Sequence, residues 1–359
     1  MAWAVDLPEA DDGELVATAD GGVVVSTRRF LAAVTPAGQV AWLVDAGVGL
    51  LGSPVLLPSG RVVRAEDGLL VTRDLATGAS VGSVTATGLS AVAATPDGDL
   101  LIVARTPERE PVLRRLSPGG AVQWTRRLDD AFASLVVAGD AVVVADRGAL
   151  RGYDLSGAPR WFAGGHGFGL PPAPRRSAAP VARGPLVALP GGRVLAELAE
   201  PDGYGWHVFD PGADTVTRVD SPVGMHHPVT AVPGGAEDGG VLLAAVGPAE
   251  EVEEGRQRSS VVLAELSGAV RWSHPVSAEP RALLPGGAGT VVVVCSPGLD
   301  RWQKYHHWYD LSGECFVRCV GAAGEQRWTW PAPVPLTYRA AASGDTTYVA
   351  APGRLWALR

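Results

Sequence analysis

Several residue types that mark particular classes of protein are scarce in this chain of 359 residues. It has three cysteines, one lysine (Lys304), no asparagine and an aromatic content of only 6%. No stretch approaches the roughly 18 consecutive apolar residues of a membrane-spanning helix. The N-terminal residues lack the basic and apolar regions of a signal peptide. The sequence therefore predicts neither a membrane span nor an export signal.

The cysteines and the net charge narrow the function classes further. Cys315 and Cys319, on one predicted strand, would lie about 13 Å apart, which is too far for a disulfide. Reduced cysteines are typical of the cytoplasm, where we expect this protein. A net charge of −8 argues against a nucleic-acid-binding protein that depends on phosphate contacts. The near absence of lysine and asparagine indicates a bacterial genome rich in G and C.

Glycine, proline and short apolar segments are what the sequence has in abundance. It contains 46 Gly and 29 Pro, and 47% of its residues are apolar. The apolar segments are rich in Val, Leu and Ala and are bounded by Gly, Pro, Asp and Ser, which is typical of strands joined by tight turns. No segment shows sustained helical periodicity, so the sequence predicts an all-β protein.

One motif recurs along the whole chain: an apolar strand, a turn with Gly, and a second strand with Trp four residues after that Gly. The five full copies are Gly38/Trp42, Gly120/Trp124, Gly157/Trp161, Gly268/Trp272 and Gly324/Trp328. Two weaker copies have Gly82 or Val216 in place of the Trp. Two further apolar segments separate successive copies, so each repeat predicts a blade of four antiparallel strands, A to D in chain order.

The two ends of the chain complete this pattern. Seven copies are complete, whereas residues 336–359 supply strands A, B and C of an eighth blade without a strand D. Residues 2–7 form an apolar strand with Trp3 and no preceding partner. We expect this N-terminal strand to close the last blade. The prediction is a single domain over 1–359, an eight-bladed β-propeller of four-stranded antiparallel blades.

A Trp in strand D beside a Gly turn resembles the PQQ-like repeat of eight-bladed propellers. That superfamily includes the quinoprotein alcohol dehydrogenases and the lipoprotein subunit of outer-membrane barrel assembly. The resemblance covers nearly the whole chain and implies the fold. It does not extend to quinoprotein chemistry, because those enzymes have an adjacent-cysteine disulfide and this chain has no Cys-Cys pair. We predict no cofactor and do not expect PQQ, while a divalent metal stays open as a hypothesis.

The long connections of the predicted blades all lie at one end of their strands. In an antiparallel meander, the A–B and C–D turns lie at one end and the B–C and D–A connections at the other. The predicted long connections are 164–184, 221–228, 247–259 and 296–314, and each is a B–C or D–A connection. Function usually lies in loops on a rigid scaffold. The charged residues 250–258, within the third connection, are predicted to be a solvated loop.

The longest B–C connection, 296–314, contains an aromatic and cationic cluster, RWQKYHHWYD, at 301–310. With histidines from the other connections it supplies the candidate ligand-binding residues Arg301, Trp302, Lys304, Tyr305, His306, His307, Trp308, His226, His227 and His166. Trp, Tyr and Arg are enriched at the energetic centres of interfaces, which favours binding of a protein, a peptide or a small ligand. The alternative interpretation is a small core folded over its own blade.

An enzyme is the second function class that the sequence leaves open. His166, His227 and His306 are the candidate acid–base residues of a lyase- or cyclase-type propeller enzyme, with its site in a central funnel on the long-loop face. The same three residues are the candidate ligands of a metal. No nucleophile motif and no phosphate-binding Gly loop is present. Nucleic acid and membrane are not expected as partners.

Overall fold

The computed structural model describes residues 1–8, 13–45, 54–129, 133–146, 149–164, 182–200, 203–210, 215–219, 226–233, 241–247, 250–253, 256–276, 280–286, 289–295, 315–336 and 340–359. Over these ranges the chain forms 33 strands and one 3-10 turn, Pro190–Gly192. This confirms the all-β prediction. In the described ranges no helix is long and apolar enough to cross a membrane.

The strands form eight antiparallel sheets, numbered here in chain order. Sheet 1 contains β2 (Gly13–Ala17), β3 (Val23–Thr27), β4 (Phe30–Val34) and β5 (Val40–Asp45), and sheet 2 contains β6 (Val55–Leu57), β7 (Arg61–Glu66), β8 (Leu69–Asp74) and β9 (Ser80–Thr85). Sheet 3 contains β10 (Ala91–Ala94), β11 (Leu100–Arg105), β12 (Pro111–Leu116) and β13 (Val122–Arg127). Sheet 4 contains β14 (Ser134–Ala138), β15 (Ala141–Asp146), β16 (Ala149–Asp154) and β17 (Pro159–Gly164).

The remaining sheets follow the same order of strands A to D. They are sheet 5 with β18 (Ala182–Ala188), β19 (Val194–Glu200), β20 (Gly203–Asp210) and β21 (Thr215–Arg218); sheet 6 with β22 (His226–Pro233), β23 (Val241–Val246), β24 (Glu250–Glu253), β25 (Arg256–Glu265) and β26 (Val270–Val276); sheet 7 with β27 (Pro280–Pro285), β28 (Val291–Cys295), β29 (Phe316–Val320) and β30 (Gln326–Pro331); and sheet 8 with β31 (Ala341–Ser343), β32 (Thr346–Ala351), β33 (Arg354–Leu358) and β1 (Trp3–Asp6).

These sheets confirm the predicted eight-bladed β-propeller of four-stranded antiparallel blades. Sheet 8 contains both chain ends, because β1 pairs with β33 in a register that places Trp3 opposite Ala357. Closure of the last blade by the N-terminal strand is therefore confirmed. Sheet 6 departs from the pattern by one strand, since β24 pairs with the first residues of β25.

The contacts of the chain divide it into two compact units. The first unit consists of Met1–Ala46 with Asp220–Arg359 and contains sheets 1, 6, 7 and 8. The second unit, Gly47–Val219, contains sheets 2 to 5. The single domain that the sequence predicts over 1–359 stays a prediction.

Sheet 3 shows why the middle strands are continuous apolar runs. In β11, Leu100 and Ile102 pack against apolar residues of sheet 2, while Leu101 and Val103 pack against Val142 and other residues of sheet 4. Because both faces of the strand are covered, the alternation of polar and apolar residues typical of a half-exposed strand disappears. In β3 and β28 every residue is buried.

Three tryptophans of strand D join neighbouring sheets within a unit. Their indole Nε1 atoms donate hydrogen bonds to backbone carbonyls of the next sheet: Trp124 to Leu155 at 2.9 Å, Trp272 to Ala322 at 3.0 Å and Trp3 to Pro36 at 2.8 Å. Each acceptor lies two residues before the Gly of the next C–D turn. The Trp of one repeat therefore contacts the Gly-containing turn of the next repeat.

Gly157 shows why this turn needs glycine. Its φ of +80° is a left-handed conformation that other residues rarely adopt, and a Cβ there would lie 2.7 Å from Cδ2 of Trp124. Gly38 has the same φ of +80° and lies as close to the ring of Trp3. The glycine therefore allows both the turn and the close packing of the indole ring.

Sheets 3 and 4 are also joined by a buried ionic network centred on Arg115. Arg115 Nε donates to Asp99 Oδ2 at 2.7 Å, its Nη1 donates to the Leu155 carbonyl at 2.5 Å, and its Nη2 contacts the Asp97 carboxylate. Gln123 Nε2 donates to the same oxygen of Asp99 at 2.7 Å. The sequence predicts TPDGD at 95–99 as a hairpin turn, which is confirmed, but the ionic role of its two carboxylates was not predicted.

Candidate functional site

Most of the predicted site residues lie outside the part of the chain that the structure describes. This holds for His166 and for Arg301, Trp302, Lys304, Tyr305, His306, His307 and Trp308. His226 and His227 are the first two residues of β22, so they belong to a strand and not to the predicted connection 221–228. The register of β22 places His226 opposite Val246, at the B–C end of sheet 6.

The insertion that contains the aromatic cluster begins and ends at one antiparallel pair. Cys295, the last residue of β28, is opposite Phe316, the first residue of β29, and both are buried. Cys315, which follows the insertion, makes two further hydrogen bonds to the segment after β30. Ala332 N donates to the Cys315 carbonyl at 2.9 Å, and Cys315 Sγ donates to the Val334 carbonyl at 3.4 Å. Both ends of 296–314 are therefore anchored in a packed sheet.

The charged residues 250–253 and 256–258 lie in two paired strands, so the prediction of a loop is wrong, while their solvation stays a prediction. β24 pairs with the start of β25 in a register that places Glu250 opposite Arg258 and Glu253 opposite Arg256. Opposite charges at facing positions favour pairing of two strands, whereas like charges oppose it. β25 continues from this hairpin into sheet 6, so the hairpin extends the sheet at its B–C end.

These features lie at the same end of two neighbouring sheets of the first unit. β22 packs beside β27, and residues of sheets 6 and 7 share one apolar core that includes Val246, Val276 and Cys295. Trp272, near the C–D end of sheet 6, donates to the C–D turn of sheet 7. The B–C ends of both sheets therefore face the same way. The candidate site of the first unit, called the sheet 6–7 end below, comprises His226, His227, residues 250–258 and the insertion 296–314.

His274 is a described histidine whose contacts give it a structural role. Its Nδ1 lies 3.3 Å from the Gly324 carbonyl, and its Nε2 lies 3.4 Å from Nη1 of Arg318. The neutral tautomer with hydrogen on Nδ1 satisfies both contacts. Arg126 occupies the same position two residues after a Trp, and its Nε donates to the Gly157 carbonyl at 2.6 Å. His274 therefore joins two sheets as Arg126 does.

The environment of His274 makes stability depend on pH. Burial lowers the pKa of His274 below its ordinary value of 6.5, the Gly324 carbonyl opposes this shift, and the charge of Arg318 adds to it. As the pH falls, His274 is therefore protonated in the unfolded chain before it is protonated in the folded protein. The stability contributed by the neutral His274 is complete above pH 6.5 and is lost as the pH falls through the folded pKa. We expect the thermal midpoint of the wild type to fall in this range more steeply than that of His274→Gln.

The comparison that checks this is thermal unfolding of both proteins at a series of pH values. An NMR titration of the His274 ring, assigned by its loss in His274→Gln, gives the folded pKa directly. Arg318→Met, which removes the neighbouring charge, is expected to raise that pKa. Parallel pH curves for the wild type and His274→Gln would contradict the prediction.

Metal and nucleophile chemistry find no support in the described ranges. Among those residues, no group of three His, Cys, Asp or Glu side chains is arranged to hold a metal ion. Burial raises the pKa of the Cys319 thiol, which disfavours the reactive thiolate. The hypothesis of a metal at His166, His227 and His306, and their predicted acid–base role, stay predictions because the structure does not describe these side chains.

Comparison with known proteins finds a family-model match over part of the chain and solved structures of the same fold over nearly all of it. The PQQ_2 family model, described as outer membrane protein assembly factor BamB, matches residues 66–203. No curated protein sequence matches the chain. BamB from Moraxella catarrhalis has a TM-score of 0.63 and 14% identity, covering 99% of this chain and 98% of that one.

Two further solved structures have the same fold. The dihydro-heme d1 dehydrogenase NirN, solved in complex with DHE, has a TM-score of 0.64 and 14% identity, over 96% of this chain and 72% of that one. The WD40 domain of SCAP from fission yeast has a TM-score of 0.58 and 8% identity, over 98% and 97%. The predicted resemblance to PQQ-like repeat propellers is therefore confirmed. At these identities the likeness to solved structures shows the fold alone.

Proposed function

We propose that this chain is a binding propeller that engages a protein or peptide at the sheet 6–7 end. The observation that carries the proposal is the anchoring of the insertion 296–314 on the buried pair Cys295 and Phe316. A loop whose two ends are held by a packed sheet can present side chains without loosening the scaffold. Its residues, RWQKYHHWYD at 301–310, are of the types that dominate interface energetics.

The neighbouring features at this end support a protein or peptide as the partner. The hairpin of β24 and β25 extends sheet 6 at its B–C end, where Glu250 is opposite Arg258 and Glu253 is opposite Arg256. These charged residues and the aromatic residues of the insertion sequence are of the types found in the polar rim and the apolar middle of protein interfaces. BamB is an assembly factor by name, which supports a partner of the same class.

Loop replacement tests the proposal directly. The probe is a phage-displayed library of random dodecapeptides selected on the full chain. We expect selected peptides to bind at least tenfold more weakly when residues 299–312 are replaced by a Gly-Ser linker of equal length. The double variant Trp302→Ala/Trp308→Ala is expected to have a similar effect, because aromatic anchors contribute most of the binding free energy.

A matched control uses an exposed apolar side chain of the second unit, which does not contain the insertion. Val122→Ala alters an outer strand of the second unit at a residue that is 54% exposed, and it is expected to leave peptide binding unchanged. Failure to select any peptide whose binding weakens at least tenfold on loop replacement would contradict the proposal. A lower thermal midpoint in Trp302→Ala/Trp308→Ala, with binding unchanged, would instead support the small core folded over its own blade.

Residence in a bacterial cytoplasm is a further part of the proposal. Its support is that Cys295, Cys315 and Cys319 are all free, which suits a reducing compartment. The scarcity of lysine and asparagine supports the bacterial source. Fractionation of the source cells tests the location, and recovery of the protein outside the cytoplasm would contradict it. No described contact favours the enzyme alternative, which therefore stays a prediction.

A further inference from the structure

The outer strand of sheet 2 differs from the outer strands of all the other sheets. Among the residues that the structure describes, strand D of each sheet has no strand paired on its outer side. Proteins commonly place charged residues or proline on such edges to prevent pairing with other strands. Seven outer strands follow this rule, with Asp6 in β1, Asp45 in β5, Arg126 and Arg127 in β13, Arg160 in β17, Arg218 in β21, Arg271 in β26 and Arg327 in β30. β9, with the sequence SVGSVT, has neither a charged residue nor proline.

The backbone edge of β9 is accessible and regular. Every residue of β9 except Val84 is exposed, and Val81 is 51% exposed. The register shifts once near the start of the strand, and Gly82 to Thr85 then pair in unbroken order with Thr72 to Leu69 of β8. In the described part of the chain, no strand pairs with the other side of β9. β9 therefore offers an open set of backbone donors and acceptors.

Gly82 adds a feature that identifies the chemistry of a partner. It occupies the place where five other repeats have Trp, and a Cβ added to it would have no atom within 4 Å. Val84 covers Gly120 of the next C–D turn, so the sheets still pack, but the surface over Gly82 is open. A glycine within a strand often marks close approach of another backbone, and an aromatic residue on the facing strand can cover it.

We propose that β9 binds an extended peptide segment of another protein, which adds to sheet 2 as a fifth strand and places an aromatic side chain over Gly82. Strand addition of this kind obtains its affinity from backbone hydrogen bonds and its specificity from alternate side chains. β9 of a second copy could not supply the aromatic residue, because SVGSVT contains none. This surface lies in the second unit and does not depend on the sheet 6–7 end.

The experiment uses the full chain and a phage-displayed library of random decapeptides. Peptides are selected on the wild type after counter-selection on Val81→Lys/Ser83→Lys, which adds edge charges at exposed residues. We expect the selected peptides to contain an aromatic residue and to bind Val81→Lys/Ser83→Lys at least tenfold more weakly than the wild type. Gly82→Trp is expected to weaken binding similarly, because its side chain occupies the surface over Gly82.

Hydrogen exchange distinguishes an added strand from contact through side chains alone. Bound peptide is expected to slow exchange of backbone amides within residues 80–85, since an added strand accepts hydrogen bonds from the outer edge of β9. The matched control is Gln123→Lys/Thr125→Lys, which adds lysines at the equivalent positions of β13 and is expected to leave peptide binding unchanged. Unchanged thermal midpoints in both double-lysine variants would show that each one folds.

Three outcomes would overturn the proposal. The first is failure of the selection to enrich any peptide whose binding depends on β9. The second is slowed exchange confined to residues outside 80–85 when peptide binds. The third is a concentration-dependent dimer of the wild type that Val81→Lys/Ser83→Lys abolishes, because that result would assign the edge to a second copy. None of these outcomes bears on the loop-replacement test at the sheet 6–7 end.

Discussion

Replacing Trp272 with alanine is expected to lower the free energy of unfolding by about 3–5 kcal/mol, the usual cost of deleting a buried Trp side chain. Trp272 is 8% exposed and packs in the apolar core shared by sheets 6 and 7. Its Nε1 also donates to the Ala322 carbonyl. The variant therefore leaves a cavity between the sheets and removes a hydrogen bond, and both effects destabilise the same contact.

Denaturant unfolding followed by tryptophan fluorescence measures this effect. Trp272→Phe keeps an aromatic ring but removes the N–H donor, so a smaller loss that includes about 1 kcal/mol for the hydrogen bond is expected. The contact can also be tested from its other side. Gly324→Ala adds a Cβ 3.0 Å from Cβ and Cγ of Trp272 at a residue whose φ is +85°.

Gly98→Ala is the matched control for Gly324→Ala. Gly98 has a φ of +89°, but an added Cβ there meets no atom within 4 Å. The free energy of unfolding lost in Gly98→Ala therefore comes from the left-handed conformation alone and is about 1–2 kcal/mol. We expect Gly324→Ala to cost more than Gly98→Ala by the energy needed to displace the indole ring. Equal losses in the two variants, or a loss below about 1 kcal/mol in Trp272→Ala, would contradict this account.

Arg115→Ala is expected to destabilise the second unit by about 3–5 kcal/mol, because it leaves a buried carboxylate without its cation. Arg115 and Asp99 are only 9% and 7% exposed, and the guanidinium also donates to the Leu155 carbonyl. Removal of Arg115 deprives three acceptors of a donor at once. The cost comes mainly from the buried Asp99 carboxylate, which keeps the neutral donor Gln123 but loses the charge that balances its own.

Two further variants separate these contributions in the same unfolding assay. Arg127→Ala removes one partner of an exposed ion pair, in which Arg127 Nη2 lies 3.4 Å from Glu110 Oε1, and is expected to cost less than 1 kcal/mol. Arg115→Met/Asp99→Leu removes both buried charges and is expected to recover much of the stability lost in Arg115→Ala. A double variant no more stable than Arg115→Ala would show that unpaired charge is not the cause.

The architecture was predictable because it depends on local signals. Short runs of Val, Leu and Ala between Gly and Pro turns predict strands wherever they occur, and the regular spacing from Gly to Trp showed that the strands repeat in groups of four. The apolar segment with Trp3 had no neighbour in sequence, and the incomplete last repeat lacked one strand. Pairing of β1 with β33 confirms that the two belong together.

The wrong and missing predictions concern contacts that local signals do not encode. Residues 250–258 are highly charged, which is typical of a solvated loop, yet they form a hairpin because the register of β24 and β25 brings opposite charges to facing positions. The connection 221–228 was predicted three residues too long at its C-terminal end, since β22 already begins at His226. The predicted site residues of the insertion 296–314 stay predictions.

By itself the sequence determined the number of sheets and the order of their strands. Only the tertiary structure decided which side chains meet between sheets. Trp124 and Leu155 are 31 residues apart, and Trp272 and Ala322 are 50 apart, so neither pair leaves a signal within one repeat. The same holds for the open edge of β9, whose lack of charge acquires meaning only because the fold places that strand at the outside of sheet 2.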